Sequence, residues 1–165
     1  MINENIKINS SLQHITYNQI VKYSNIFDID FDNIKIITIV RNPYERIVSD
    51  LFFYKLITKD THEDDVFNII IKYLVSKNYD NHNIPQYKFI TDDNKEIIQN
   101  IHILRTESLT IDMKNLGYND FNLLKNVNIN KVNYYKYLND DSIRIINQFY
   151  HLDFILFNYN KITFK

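Results

Sequence analysis

Cysteine and tryptophan are absent from this chain, glycine occurs once, at Gly117, and proline twice. Without cysteine there is no disulfide framework, no thiolate nucleophile and no Cys-based zinc site. One glycine cannot build a Walker loop or a dinucleotide-binding fingerprint, each of which needs several to let backbone approach phosphate. Cationic excess is also missing: 19 Lys and Arg stand against 20 Asp and Glu, a net charge of −1. Proteins that live on non-specific nucleic-acid contacts normally carry the opposite bias, so that class is disfavoured. No apolar run is long enough to span a bilayer, and no secretory signal leads the sequence, which predicts a cytoplasmic chain with no membrane segment.

What is present suits one domain over residues 1–165, with 45% hydrophobic residues to build its core. The abundance of Asn, Ile, Lys and Tyr is what an AT-rich coding region produces, so it carries no functional weight. Residues 1–11 are polar and irregular. Thr16 and Gln19 have the spacing of a capping box, with Ile15 and Ile20 placed for a hydrophobic staple, which leaves His14 just outside a short helix. Ile34–Val40 is an almost unbroken β-branched apolar run and predicts a strand buried on both faces, as in a parallel sheet. Asn42, Pro43 and Glu45 then supply a helix cap, a first-turn proline and the far end of an Asn-x-x-Glu box. Ile47, Val48, Leu51 and Phe52 form one apolar stripe at helical spacing. Further helices are predicted over Val66–Ser76 and Asn139–Tyr150, a loop over Tyr79–Gln86, and a second strand over Ile101–Arg105. The alternation defines an α/β fold, a parallel sheet flanked by helices.

Ligands of such sheets bind beyond the carboxyl ends of the strands. Arg41 stands at that end of the best strand, and its guanidinium fork matches phosphate oxygens. Ser49 lies about 10 Å along the next helix, on the flank away from the apolar stripe, and Arg46 shares that flank. The competing reading is an Arg41 that neutralises a neighbouring carboxylate and a Ser49 that faces solvent. His62-Glu63-Asp64-Asp65 has metal-ligand residue types, but acids in the first turn of a helix are favoured by its dipole, so no metal site is predicted. His82, next to Pro85 and Gln86, either lines a cleft or shapes a turn. Tyr134, Tyr135 and Tyr137 either stack on a base or a sugar or pack in the core or on the surface, and the tyrosine bias of the chain favours packing.

Val40-Arg-Asn-Pro-Tyr-Glu-Arg-Ile-Val-Ser49 resembles the 3′-phosphate-binding motif of the carbohydrate sulfotransferases, the Golgi glycan group that includes the uronyl 2-O-sulfotransferases. These enzymes use 3′-phosphoadenosine 5′-phosphosulfate (PAPS). The resemblance implies a P-loop NTPase-like sulfotransferase fold, a carbohydrate acceptor, no metal, and a 3′-phosphate grip by Arg41 and Ser49. His14-Ile-Thr-Tyr17 is similar to the segment that supplies the general base, which implies that role for His14; imidazole titrates in the range such chemistry needs. A histidine that merely decorates a helix entry is the other reading. His82-x-x-Pro85-Gln86 resembles a loop near the acceptor, so His82 and Gln86 are candidate acceptor contacts. Arg105-Thr-Glu107-Ser-Leu109 resembles the segment after a family strand, Asn128-x-Asn130-Lys131 a cofactor-proximal loop, and Tyr150-x-x-Asp153-Phe154-x-x-Phe157-x-Tyr159 the family's closing signature.

One departure matters. The family places a Lys-containing 5′-phosphosulfate loop on a strand and helix well before this histidine, and its Lys steadies charge on the leaving oxygen. Here thirteen residues precede His14, and Lys7–Leu12 has neither glycine nor a strand before it. The expectation is a sulfotransferase domain lacking its N-terminal phosphosulfate half. The alternative is a non-catalytic homologue that holds a nucleotide or glycan without turnover.

Overall fold

The computed structural model describes residues 10–31, 33–122 and 133–164. Among them the helices are α1 (Tyr17–Lys22), α2 (Ser24–Phe27), α3 (Pro43–Phe53), α4 (Glu63–Val75), α5 (Leu109–Asn115), α6 (Asp140–Phe149) and α7 (His151–Leu156), and the strands are β1 (Ile36–Val40) and β2 (Ile101–Arg105). β1 and β2 pair in parallel, with Ile36 opposite Ile101 and Val40 opposite Arg105. The crossover between them carries α4, so the parallel sheet flanked by helices is an observed feature of the molecule.

The main core lies between helices. Tyr44, Ile47, Val48 and Leu51 of α3 meet Val66, Ile70 and Tyr73 of α4, Ile143 and Ile146 of α6, and Phe154 of α7. A smaller cluster of Val40, Ile90 and Phe157 joins the sheet to the segment after Pro85 and to the end of α7. Tyr44 is a joint as well as a core residue. Its hydroxyl donates to Asn147 Oδ1 and accepts from the Ile162 amide at 2.9 Å, which fastens the C-terminal tail to α3.

Several local expectations meet the structure closely. Thr16 and Gln19 make both halves of a capping box, the Gln19 amide donating to Thr16 Oγ1 and the Thr16 amide to Gln19 Oε1. Others are corrected. β1 is not buried on both faces: Ile37 and Ile39 are 36% and 52% exposed, while Val40 on the other face is buried. A continuous β-branched run reports that a strand is favourable; it does not report what covers each side. Glu45 does not complete a box with Asn42. Asn42 caps α3 by accepting from the Tyr44 amide at 3.0 Å, but its own amide donates to Glu107 Oε1 at 2.8 Å, and Glu45 turns to Arg41. α4 begins at Glu63, within the His62–Asp65 stretch whose acids the sequence assigns to a first turn: His62 supplies the cap and the acids form that turn. The Asn128–Lys131 segment and residues 1–9 lie outside the described residues.

Candidate functional site

Arg41 follows the last residue of β1, at the carboxyl end of the sheet. Its backbone is clamped by one side chain: the Arg41 amide donates to Gln86 Oε1 and Gln86 Nε2 donates to the Arg41 carbonyl, both at 2.9 Å. Gln86 is buried, and its amide in turn donates to Asp153 Oδ2 at 2.8 Å. Asp153 has no exposed surface and takes the Tyr87 amide on its other oxygen, also at 2.8 Å. A buried carboxylate at the heart of the closing signature thus fixes Gln86, and Gln86 fixes the turn. From the β2 side, Thr106 Oγ1 donates to the Val40 carbonyl at 3.2 Å and Glu107 takes the Asn42 amide. Tyr159 donates to the second Glu107 oxygen at 3.0 Å, and burial beside that carboxylate pushes its phenol up, so it remains a donor.

The Arg41 guanidinium lies over the Tyr134 ring, 4.9 Å from its centroid, with Nη2 3.6 Å from Glu45 Oε2. Its Nε is buried and has no hydrogen-bond partner among the described residues. Ser49, half-buried, sits one helical turn beyond Glu45 on the same flank of α3, and its hydroxyl has no partner among the described residues. Arg46 does not share this flank. It donates to the His82 and Ile84 carbonyls and lies over the Tyr150 ring.

That loop brings the other candidates together at the far end of α3, roughly 15 Å from Arg41 at 1.5 Å per residue. The His14 and His82 rings meet edge to face with centroids 4.4 Å apart. His14 Nδ1 is 2.8 Å from Asp80 Oδ2, and the His14 carbonyl accepts from Asn81 Nδ2 at 2.8 Å. His82 stacks parallel to the Phe53 ring, meets Tyr54 edge-on, and lies 3.9 Å from Asp50 Oδ1. Asp50 also accepts from Tyr73 at 3.1 Å; burial beside this carboxylate pushes the Tyr73 phenol up and keeps it protonated. The loop is held by side-chain donors on successive carbonyls: Tyr54 on Tyr79, Arg46 on His82 and Ile84, Tyr150 on Asn83. Asp80 and Asn81 both adopt left-handed backbone, φ 48° and 64°, a conformation that Asp and Asn tolerate best among non-glycine residues.

The structure brings together His14 and His82, which the sequence offered as separate candidates, and sets Ser49 one turn beyond Glu45, the carboxylate beside Arg41; sequence reasoning missed Asp80, Asn81, Asp50 and the Tyr134 platform. Asp80 and Asn81 sit next to His82 in the sequence, but only as turn formers. Nothing local links them to a histidine 66 residues away. A separate cleft, lined by Tyr17, Phe31, Ile36, Asp92, Glu96 and Ile97 among others, opens near the amino end of β1. It has two carboxylates and no cation, which unsuits it to a phosphate-bearing ligand. Among the described residues no group of three or more His, Cys, Asp or Glu is placed to hold a metal ion, and no helix is long and apolar enough to cross a membrane.

A parallel sheet with an arginine held at its carboxyl edge, ahead of a capped helix, defines an α/β protein with a cationic strand-to-helix turn. The family follows from comparison: the model described as "Sulfotransferase family" matches residues 2–160, and the chain belongs to that family. Sulfuryl transfer is the chemistry this membership supports. No curated protein and no solved structure matches the chain.

Proposed function

We propose that the chain transfers a sulfuryl group from PAPS to a hydroxyl of a carbohydrate, with Arg41 and Ser49 gripping the donor's 3′-phosphate and His14 acting as general base. The observation that supports this most is the orphaned, buried Nε of Arg41. A buried cationic N–H without a partner is costly, and a phosphate oxygen is the acceptor that best relieves it. PAPS, when bound, supplies the sulfuryl group and a leaving adenosine bisphosphate. The chain's own residues do the rest. Tyr134 supports one face of the Arg41 guanidinium, the Gln86 clamp fixes its backbone, and the Ser49 hydroxyl adds a donor one turn past Glu45. His14 takes the proton of the acceptor hydroxyl, with His82 beside it on the acceptor side. Gln86, with both ends of its amide on Arg41, serves the acceptor only by holding this turn.

Calorimetry with adenosine 3′,5′-bisphosphate and AMP tests the donor half. The bisphosphate should bind more tightly, and Arg41→Ala should cost it about 1.5–3 kcal/mol, the worth of a hydrogen bond to a charged group. Equal affinity for the two nucleotides would overturn the reading.

A second reading, a homologue that binds without turnover, draws on Glu45: a carboxylate already stands 3.6 Å from the Arg41 guanidinium and competes with an incoming phosphate. Labelled-sulfate transfer from PAPS to a glycan panel separates the two, since only the first produces labelled glycan.

A further inference from the structure

We propose that Asp80 is the positioning residue for His14: it accepts the Nδ1 proton and so holds the imidazole in the tautomer whose Nε2 lone pair is free to take a proton. This rests on the reading of His14 as the base.

The geometry is specific. Asp80 Oδ2 lies 2.8 Å from His14 Nδ1, while Asp80 Oδ1 accepts the Ser11 amide at 2.5 Å. The carboxylate thus has one oxygen for the backbone and one for the imidazole. Ser11 Oγ is 3.2 Å from the same nitrogen, and His14 Nε2 has no partner among the described residues. Asn81 holds the His14 carbonyl, so the residue is gripped at main chain and side chain by consecutive positions of one loop. Both of those positions carry left-handed backbone, the kind of strain that persists where surrounding structure enforces it. The hydrogen bonds from His14 and Ser11 also hold the Asp80 carboxyl down to about 2, so it stays an acceptor-only carboxylate at neutral pH. Around His14 the facing groups are Asp80, Ser11, Asn81 and the edge-on His82, with Asp50 behind His82.

When the acceptor hydroxyl attacks sulfur, its oxygen forms the new S–O bond and its proton passes to His14 Nε2. The electron pair of the broken S–O bond leaves with the bisphosphate. The imidazolium so formed faces the Asp80 carboxylate, and no proton moves on to Asp80.

Asp80→Asn tests this without disturbing the loop, because Asn also tolerates left-handed backbone. Its amide oxygen stays with the Ser11 N–H, so the NH₂ group faces His14 and obliges Nδ1 to accept. Nitrogen-15 NMR of histidine-labelled protein should show neutral His14 as the Nδ1–H tautomer in the wild type and the Nε2–H tautomer in Asp80→Asn. In transfer assays kcat should fall by up to the about 10²–10⁴-fold that a positioned base contributes, with KM unchanged. An Nε2–H tautomer in the wild type, or no change of tautomer in the variant, overturns the proposal. If the wild type transfers no sulfate, the tautomer result still decides the role of Asp80, while the catalytic reading of the site fails on its own.

Discussion

Two carboxylates in this molecule respond to acid in opposite ways, and each does so because of its surroundings. Asp153 has no exposed surface, and its desolvation outweighs the amide hydrogen bonds from Tyr87 and Gln86, which raises its pKa. A group raised in the folded state contributes stability that is full below the unfolded value, near 3.9, and is lost as pH rises through the folded value. Asp80 is lowered to about 2 by His14 and Ser11, so its contribution is present above the unfolded value and disappears as pH falls through 2. Urea titrations between pH 3 and pH 7 should therefore show the wild type gaining on Asp153→Asn as pH drops from neutral. Below pH 4 its advantage over Asp80→Asn should shrink. Asp153→Asn should also be the less stable protein throughout, by about 1–3 kcal/mol, because its amide sets a donor against a backbone N–H. A wild-type advantage over Asp153→Asn that stays flat across this range would refute the account of its burial.

At the scale of elements, the loop from Tyr79 to Gln86 is ordered by side chains rather than by a ladder. Arg46 is its main fastening, one guanidinium reaching two carbonyls. A lysine is a point donor and cannot span both. Arg46→Lys should leave the α3–α4–α6 core folded but raise hydrogen exchange across residues 79–86 and loosen His82 against Phe53. Exchange mass spectrometry reads this directly, and unaltered protection in that segment would remove Arg46 from its assigned place. Elements like these divide what a sequence reveals from what it hides. The Thr16–Gln19 box and the strand end at Val40 were readable because their signals lie within a few residues of each other. The Asn42–Glu45 box failed for the same locality: Glu107, 65 residues away, takes the amide the box would have used, and Arg41 attracts the glutamate. Candidate residues with distinctive chemistry, His14, Arg41 and His82, were legible. Their second partners, Asp80, Asn81 and Tyr134, are common residue types whose meaning depends on long-range pairing.

For the molecule as a whole, the bare side of β1 matters most. β1 pairs with β2 alone among the described residues, and Ile37 and Ile39 stand open on one face beside a net charge of only −1. Exposed apolar strand surface with little charge to repel neighbours favours self-association. Ile39→Thr keeps strand propensity while removing apolar area, so light scattering at high protein concentration should fall and the far-ultraviolet dichroism should stay the same. Scattering equal to that of the wild type would show that this face is harmless. The same feature gives the protein a poorly wetted side. At an air–water boundary it should adsorb with that isoleucine pair towards the gas, and surface-pressure curves of the wild type should rise sooner than those of the threonine variant. Agitation, foaming and thin blotted films then expose this chain to loss at that boundary.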